Sequence, residues 1–189
     1  MGAAETMHPF HLVPFPAEPP AVPQGLALDG WIRREGEQLA VTYRLHDPGQ
    51  TLTIPPLAPT AQRRDGLWQA TCVELFLALP GHQSYRELNL SPSGDWAVYR
   101  LEGYRQGLTP DPAWSALPLR RKDASTDGNG ILELQLNTPL PPELAAAPEL
   151  EVAITAVLQS RDGTCSYWAL LHPGPEADFH RREGFALRL

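Results

Sequence analysis

The sequence is poor in cysteine and methionine, poor in positive charge, and free of long apolar runs. Only two cysteines, Cys72 and Cys165, occur in 189 residues. They are too few for a disulfide framework and lack the spacing of a zinc site. Both are expected as reduced thiols, which suits a cytoplasmic location. Each follows a threonine at the start of a predicted strand, so the two could be neighbours in space. No apolar stretch approaches the roughly 20 residues needed to cross a bilayer. The first twenty residues are broken by Pro9, Pro14, Pro16, Pro19 and Pro20 and show neither the basic start nor the apolar centre of an export signal. Lys and Arg number 15 against 22 Asp and Glu, a net charge of -7. The basic clusters Arg63-Arg64, Arg120-Arg121-Lys122 and Arg181-Arg182 are too short to neutralise phosphates in register and read as solvated loop charge. The expected partners therefore include neither nucleic acid nor membrane.

Proline, by contrast, is abundant. The 21 prolines are roughly double the usual share of about 5%, and they fall mostly between apolar runs, which argues for many short elements and against long helices. Residues 1–25 read as a proline-rich lead packing on one domain that spans 26–189. Leu26 to His46 predicts a hairpin, with Leu39, Val41, Tyr43 and Leu45 alternating on its second arm after a turn at Glu35-Gly36-Glu37. Thr71 to Leu79, Ser84 to Leu90 and Asp95 to Leu101 form a predicted three-strand meander, broken by Pro80-Gly81 and by Ser91-Pro92-Ser93-Gly94. Further strands are expected at 131–136, 150–158, 166–171 and 184–189, with one helical turn near Glu143 to Ala147. About 9–11 short strands with no alternating helices predict an all-β chain. The expected form is a β-sandwich of two antiparallel sheets, immunoglobulin-like or jelly-roll-like.

On the meander, the period of two that sends Leu75, Leu77, Leu88 and Leu90 to a core face sends Glu74, Glu87 and Asn89 to the other. Phe76 and Tyr85 share that second face, and Trp68 stands just before the strand that carries Glu74. Such a surface suits a sugar, whose C–H face packs on an aromatic ring while its hydroxyls pair with carboxylate, amide or guanidinium groups. Taken singly, each of Glu74, Glu87 and Asn89 reads more readily as the wet side of an antiparallel sheet; the combination carries more weight than its parts. Trp31, Trp96, Trp114 and Trp168 read as packing aromatics.

The run Leu67-Trp68-Gln69-Ala70-Thr71-Cys72-Val73-Glu74-Leu75-Phe76-Leu77, the segment Tyr85 to Ala97, and the ending from Tyr167-Trp168-Ala169-Leu170 through Asp178-Phe179-His180 to Leu187 together resemble the DOMON-like superfamily. That group includes the family 9 carbohydrate-binding modules, and the resemblance narrows to bacterial DOMON-like domains. It implies a two-sheet β-sandwich that binds sugar or haem. In the carbohydrate-binding relatives, one aromatic before the Val-Glu strand and another in the last long loop clamp the sugar. Trp68 matches the first position. Phe179 or His180 occupies the region of the second, although a Phe departs from the Trp found there. Glu74 matches the polar strand residue, and Arg86 or Arg100 is implied as the guanidinium. The calcium sites of some of these modules have no acidic counterpart here, so no metal and no cofactor is expected.

A haem reading requires axial ligands. The relatives' Met-His pair is lacking, since Met1 and Met7 both fall in the lead, and only a bis-His arrangement among six histidines is left. An enzyme reading pairs Glu74 with Glu87 as a glycosidase-like acid and base. No Gly-Xaa-Ser-Xaa-Gly elbow, His-Glu-Xaa-Xaa-His motif or Gly-rich phosphate loop accompanies them. A protein-interaction module using exposed aromatics as hot spots is the remaining alternative. The expected function is non-catalytic binding of a small sugar-containing ligand at Trp68, Glu74, Arg86, Glu87, Asn89, Arg100, Phe179 and His180.

Overall fold

The computed structural model describes residues 6–16, 22–123 and 130–189; Met1 lies outside these. The described residues form twelve strands: β1 (His8–Pro14), β2 (Ala27–Glu35), β3 (Gln38–His46), β4 (Cys72–Ala78), β5 (Tyr85–Leu90), β6 (Trp96–Leu101), β7 (Thr109–Pro110), β8 (Arg120–Asp123), β9 (Ile131–Pro139), β10 (Glu151–Gln159), β11 (Cys165–Ala169) and β12 (Leu187–Arg188). One helical turn, α1 (Pro142–Ala145), precedes β10. Its last carbonyls are capped from outside, since Arg34 Nη2 donates at 2.7 Å to the oxygens of both Ala145 and Ala147. No helix among the described residues is long and apolar enough to cross a membrane.

The strands follow one antiparallel path, β7-β6-β5-β4-β10-β11-β1-β2-β3-β9-β8, with β12 pairing the free end of β10. Instead of the two separate sheets that sequence reasoning expects, one sheet curls until its halves face each other. The joint is β1. His8 to Leu12 pair with β2, and Val13 and Pro14 then pair with β11. The proline-rich lead thus supplies a member of the sheet and not just a covering segment. Pro9 and Pro14 stand next to the first and at the last position of β1, near the outer ends of the β2 and β11 pairings, where a missing N–H interrupts little of either ladder. Alternation still governs β1, for Phe10 and Leu12 are buried while Pro9, His11 and Val13 are exposed. Phe10 lies over Gly30 of β2 and meets Tyr43 edge-on, with ring centroids 5.5 Å apart. A Cβ on Gly30 would sit 1.9 Å from the Thr42 carbonyl oxygen, so only glycine permits this approach.

The main core fills the space between the two halves. Leu12, Leu28, Ile32, Val41 and Tyr43 come from one side, and Val73, Leu75, Leu77, Leu88 and Ile154 from the other. Tyr43 crosses this core and donates its hydroxyl at 3.0 Å to the Glu74 carbonyl oxygen, which satisfies a buried phenol. Trp96, Trp114 and Trp168 are buried, whereas Trp31 is only half-buried on the outside of β2.

One arginine of each basic cluster is structural, whereas Arg64, Arg120 and Lys122 stay exposed as solvated charge. Arg63 lies 4.5 Å over the Trp96 ring and donates to the carbonyls of Val98, Asp111 and Trp114. Arg121 similarly ties Pro55 to Pro92, and Arg182 bonds Glu151 while covering Phe185. These guanidinium groups tie loop and strand carbonyls together. The two cysteines are free. Cys72 pairs in register with Val157 of β10, while Cys165 pairs with Gln159 on that strand's other side, so β10 separates them.

Candidate functional site

β4 is central and buried along its whole length. Its Val73, Leu75 and Leu77 enter the main core, while Glu74, Phe76 and Ala78 point the other way. That second face is not open to solvent, because the loop between β11 and β12 folds back over it. Phe185, 2% exposed, is the plug, packed on Phe76 at 5.7 Å and Tyr85 at 5.6 Å between ring centroids. Where this loop stops short of full coverage, a cleft of about 390 Å³ remains. Glu74 and Glu87 line it from below, with Leu101 and Val157.

Trp68 stands at one side of the cleft. It lies in a short 3-10 turn, Leu67–Gln69, that follows Gly66 in the left-handed region at φ 76°. The indole is 37% exposed, and its edge rests on Tyr99 with centroids 5.8 Å apart. Tyr99 is itself fixed by donating to Asp65 at 2.6 Å. Across the cleft stand Tyr167 of β11, 42% exposed, and Phe179 of the closing loop, their rings T-shaped at 6.1 Å. Two aromatic groups therefore bracket a floor that carries carboxylates.

Glu74 and Glu87 are only 3% and 4% exposed. Glu74 Oε2 accepts from the Thr155 hydroxyl at 3.1 Å, and Glu87 Oε1 from the Asn89 amide at 2.9 Å. Glu87 Oε2 and Asn89 Oδ1 are buried with no donor among the described residues. Burial first, and the neighbouring Glu87 second, push the Glu74 carboxyl up to about 8, against the opposing Thr155 bond. Burial likewise raises Glu87, opposed by the Asn89 bond and by Arg105. His180 completes the wall, its Nδ1 2.7 Å from the Tyr85 hydroxyl and its Nε2 3.9 Å from Glu87 Oε2. Burial and the charge of Arg105 lower His180 to about 4, so the ring is neutral at pH 7. Among the described residues no group of three or more His, Cys, Asp or Glu is placed to hold a metal ion.

Of the residues singled out from sequence, Trp68, Glu74, Glu87, Phe179 and His180 surround this one cleft, and Asn89 lies beneath it as a partner of Glu87. Arg86 and Arg100 do not belong there. They stand opposite each other in the β5–β6 register, one residue out of phase with Glu87 and Tyr99, and so project from the opposite face. Arg86 is buried and paired with Asp111 at 3.1 Å and with Glu143, while Arg100 is exposed. The guanidinium in the cleft belongs to Arg105. It sits in the loop after β6 at φ 53°, an uncommon conformation for a residue with a Cβ, and its Nη2 donates to Asp178 at 2.9 Å. Tyr104 also bonds Asp178, tying this loop to the closing loop. The only sequence signal for Arg105 is its place between Gly103 and Gly107. Tyr167 and Leu108, also missed, join the cleft through loop and strand placement that periodicity does not encode. A wider hollow of about 530 Å³ on the outer side of the closing loop, lined by Tyr104, Asp178, Arg181 and Glu183, lacks the buried carboxylate floor.

No protein-family model matches the sequence, and no curated protein matches it. Among solved structures, the chain is similar to a candidate carbohydrate-binding protein from Bacteroides uniformis, with a TM-score of 0.63 and 11% identity, over 95% of this chain and 84% of that one. It is more distantly similar to a carbohydrate-binding module of family 9 from Caldicellulosiruptor kristjanssonii in complex with glucose, with a TM-score of 0.47 and 14% identity over 79% of this chain and 69% of that one. For such a module in complex with cellotriose the TM-score is 0.49 at 14% identity, over 82% of this chain and 70% of that one. The first similarity shows a shared all-β fold.

Proposed function

We propose that this chain is a non-catalytic carbohydrate-binding domain that takes a sugar ring into the cleft between Trp68 and the Tyr167–Phe179 pair. The observation that carries this reading is the buried floor with spare acceptors. Glu87 Oε2 and Asn89 Oδ1 have no donor among the described residues, and an unpaired buried acceptor costs about 1–3 kcal/mol. Sugar hydroxyls are donors of the right kind, and the aromatic flanks offer faces for the ring's C–H groups. The fold shared with a candidate carbohydrate-binding protein agrees with this.

Binding without catalysis is favoured by where the two acids stand. Glu74 and Glu87 rise from adjacent strands of one floor, with Glu74 opposite Asn89 in register, so both meet a bound ring from the same side. Glycoside hydrolysis needs carboxyl groups flanking the scissile bond. We also place the chain among the DOMON-like proteins, on the Trp68 to Leu77 and Tyr85 to Ala97 segments that carry the resemblance. Titration with glucose and cellotriose, followed by tryptophan fluorescence and calorimetry, tests the reading. Saturable binding that falls on Trp68→Ala is the expected result; no binding of any sugar in a panel that includes these two would refute it.

A further inference from the structure

The charge inventory of the cleft is unbalanced. β4 supplies Glu74 and β5 supplies Glu87. β10 contributes only the neutral Thr155 and Val157, and β6 the neutral Tyr99 and Leu101. Cys72, Tyr85 and Tyr99 stay protonated because burial raises all three. Of the bases, Arg105 is committed to Asp178 at 2.9 Å and His180 is held neutral. Two buried acids thus face a cleft in which, among the described residues, the one permanent cation, Arg105, is bonded to Asp178 and acts on Glu87 only through space. A buried carboxylate without a cation is costly unless it is protonated or finds one. Glu87 Oε2, unpartnered at the floor among the described residues, marks where a ligand's donor fits.

We propose that the preferred ligand is an amino sugar, whose protonated primary amine is received by Glu87 Oε2 beside Glu74 while its ring packs against the flanking aromatics. This rests on the carbohydrate-binding reading above and narrows its ligand class. An ammonium supplies three N–H donors to an acid pair that neutral hydroxyls satisfy without compensating charge. The amine's arrival favours the ionised form of Glu74, so binding releases protons from that carboxyl to solvent.

Calorimetry on the full chain at pH 6 with D-glucosamine, D-glucose, N-acetyl-D-glucosamine and ethanolamine decides the matter. Glucosamine is expected to bind about tenfold or more tightly than glucose or the N-acetyl sugar, in line with a charge-assisted bond replacing a neutral one. Buffers of different ionisation enthalpy should reveal proton release with glucosamine and none with glucose. Glu87→Gln should bring the ratio of glucosamine to glucose affinity close to one, whatever it does to glucose itself. The wild-type comparison needs no variant and so does not depend on whether the variant folds. Equal affinity for glucose and glucosamine overturns the amino-sugar proposal and leaves a neutral-sugar site. Equal affinity for ethanolamine and glucosamine overturns it as well, by showing that charge alone is read. Failure of every sugar to bind overturns both this proposal and the reading on which it rests.

Discussion

Replacing Glu74 with Gln should make the protein more stable at neutral pH and remove much of its pH dependence. The side chain is 3% exposed, and its carboxyl is raised from an ordinary 4.5 to about 8, first by burial and then by Glu87. Because the native state holds this proton more tightly than the unfolded chain, folding gains fully from it below pH 4.5 and loses that gain as pH rises to about 8. Each pH unit in that window costs the native state about 1.4 kcal/mol, so the loss by pH 7 is on the order of 3 kcal/mol. His180 acts with the opposite sign. Lowered from 6.5 to about 4, it makes stability rise with pH over that interval. The wild-type profile is therefore a composite, and subtracting the Glu74→Gln profile isolates Glu74. The amide keeps an oxygen for the Thr155 hydroxyl. Urea denaturation at half-unit steps from pH 4.5 to 8.5 provides the measurement. The stability difference between variant and wild type should grow in favour of the variant up to about pH 8 and then level off. A difference that stays constant across the window would refute the account of a buried, proton-holding acid.

Trp68→Ala should weaken sugar binding by more than about 1 kcal/mol while costing the fold no more than about 1.5 kcal/mol, the worth of its edge contact with Tyr99; titration and denaturation of the same variant check both halves. Trp168→Ala, at a site 2% exposed, should instead cost about 3–5 kcal/mol of stability by denaturation. Arg86→Met leaves the buried Asp111 without its cation and should destabilise the fold by about 3–5 kcal/mol; calorimetric affinity for glucose in the folded protein should stay as in wild type. Phe185→Ala removes the plug between the closing loop and the Phe76–Tyr85 rings, and should cost about 3–5 kcal/mol together with a loss of sugar affinity, since Phe179 and His180 ride on the same loop; hydrogen exchange should show earlier opening of residues 172–186.

Several features were legible in the sequence because they depend on local periodicity. Alternation over Thr71 to Leu101 by itself separates Leu75, Leu77 and Leu88 from Glu74, Glu87 and Asn89, since a strand has only two faces and each residue type seeks one of them. The position of Trp68 just ahead of β4 also follows from chain order, because three or four residues cannot carry it far from the strand they precede. The same rule of two excludes Arg86 from the Glu87 face by parity alone, while the place of Arg100 follows from the β5–β6 register.

What tertiary structure decided is everything that depends on chain segments meeting across long separations. Nothing local to His8–Pro14 says that it joins the two halves of the sheet; its prolines suggest a covering segment, and only the chance to pair with β2 and β11 in turn makes it a strand. Whether the polar face of β4 and β5 meets water or a cleft is settled by the loop carrying Phe179, His180 and Phe185, more than 80 residues further along the chain for each of these pairings. Arg105 reaches the cleft because Asp178 holds it there, and that long-range ion pair leaves no periodic trace. Periodicity assigns side chains to faces, whereas burial and charge at a face depend on which distant segment covers it.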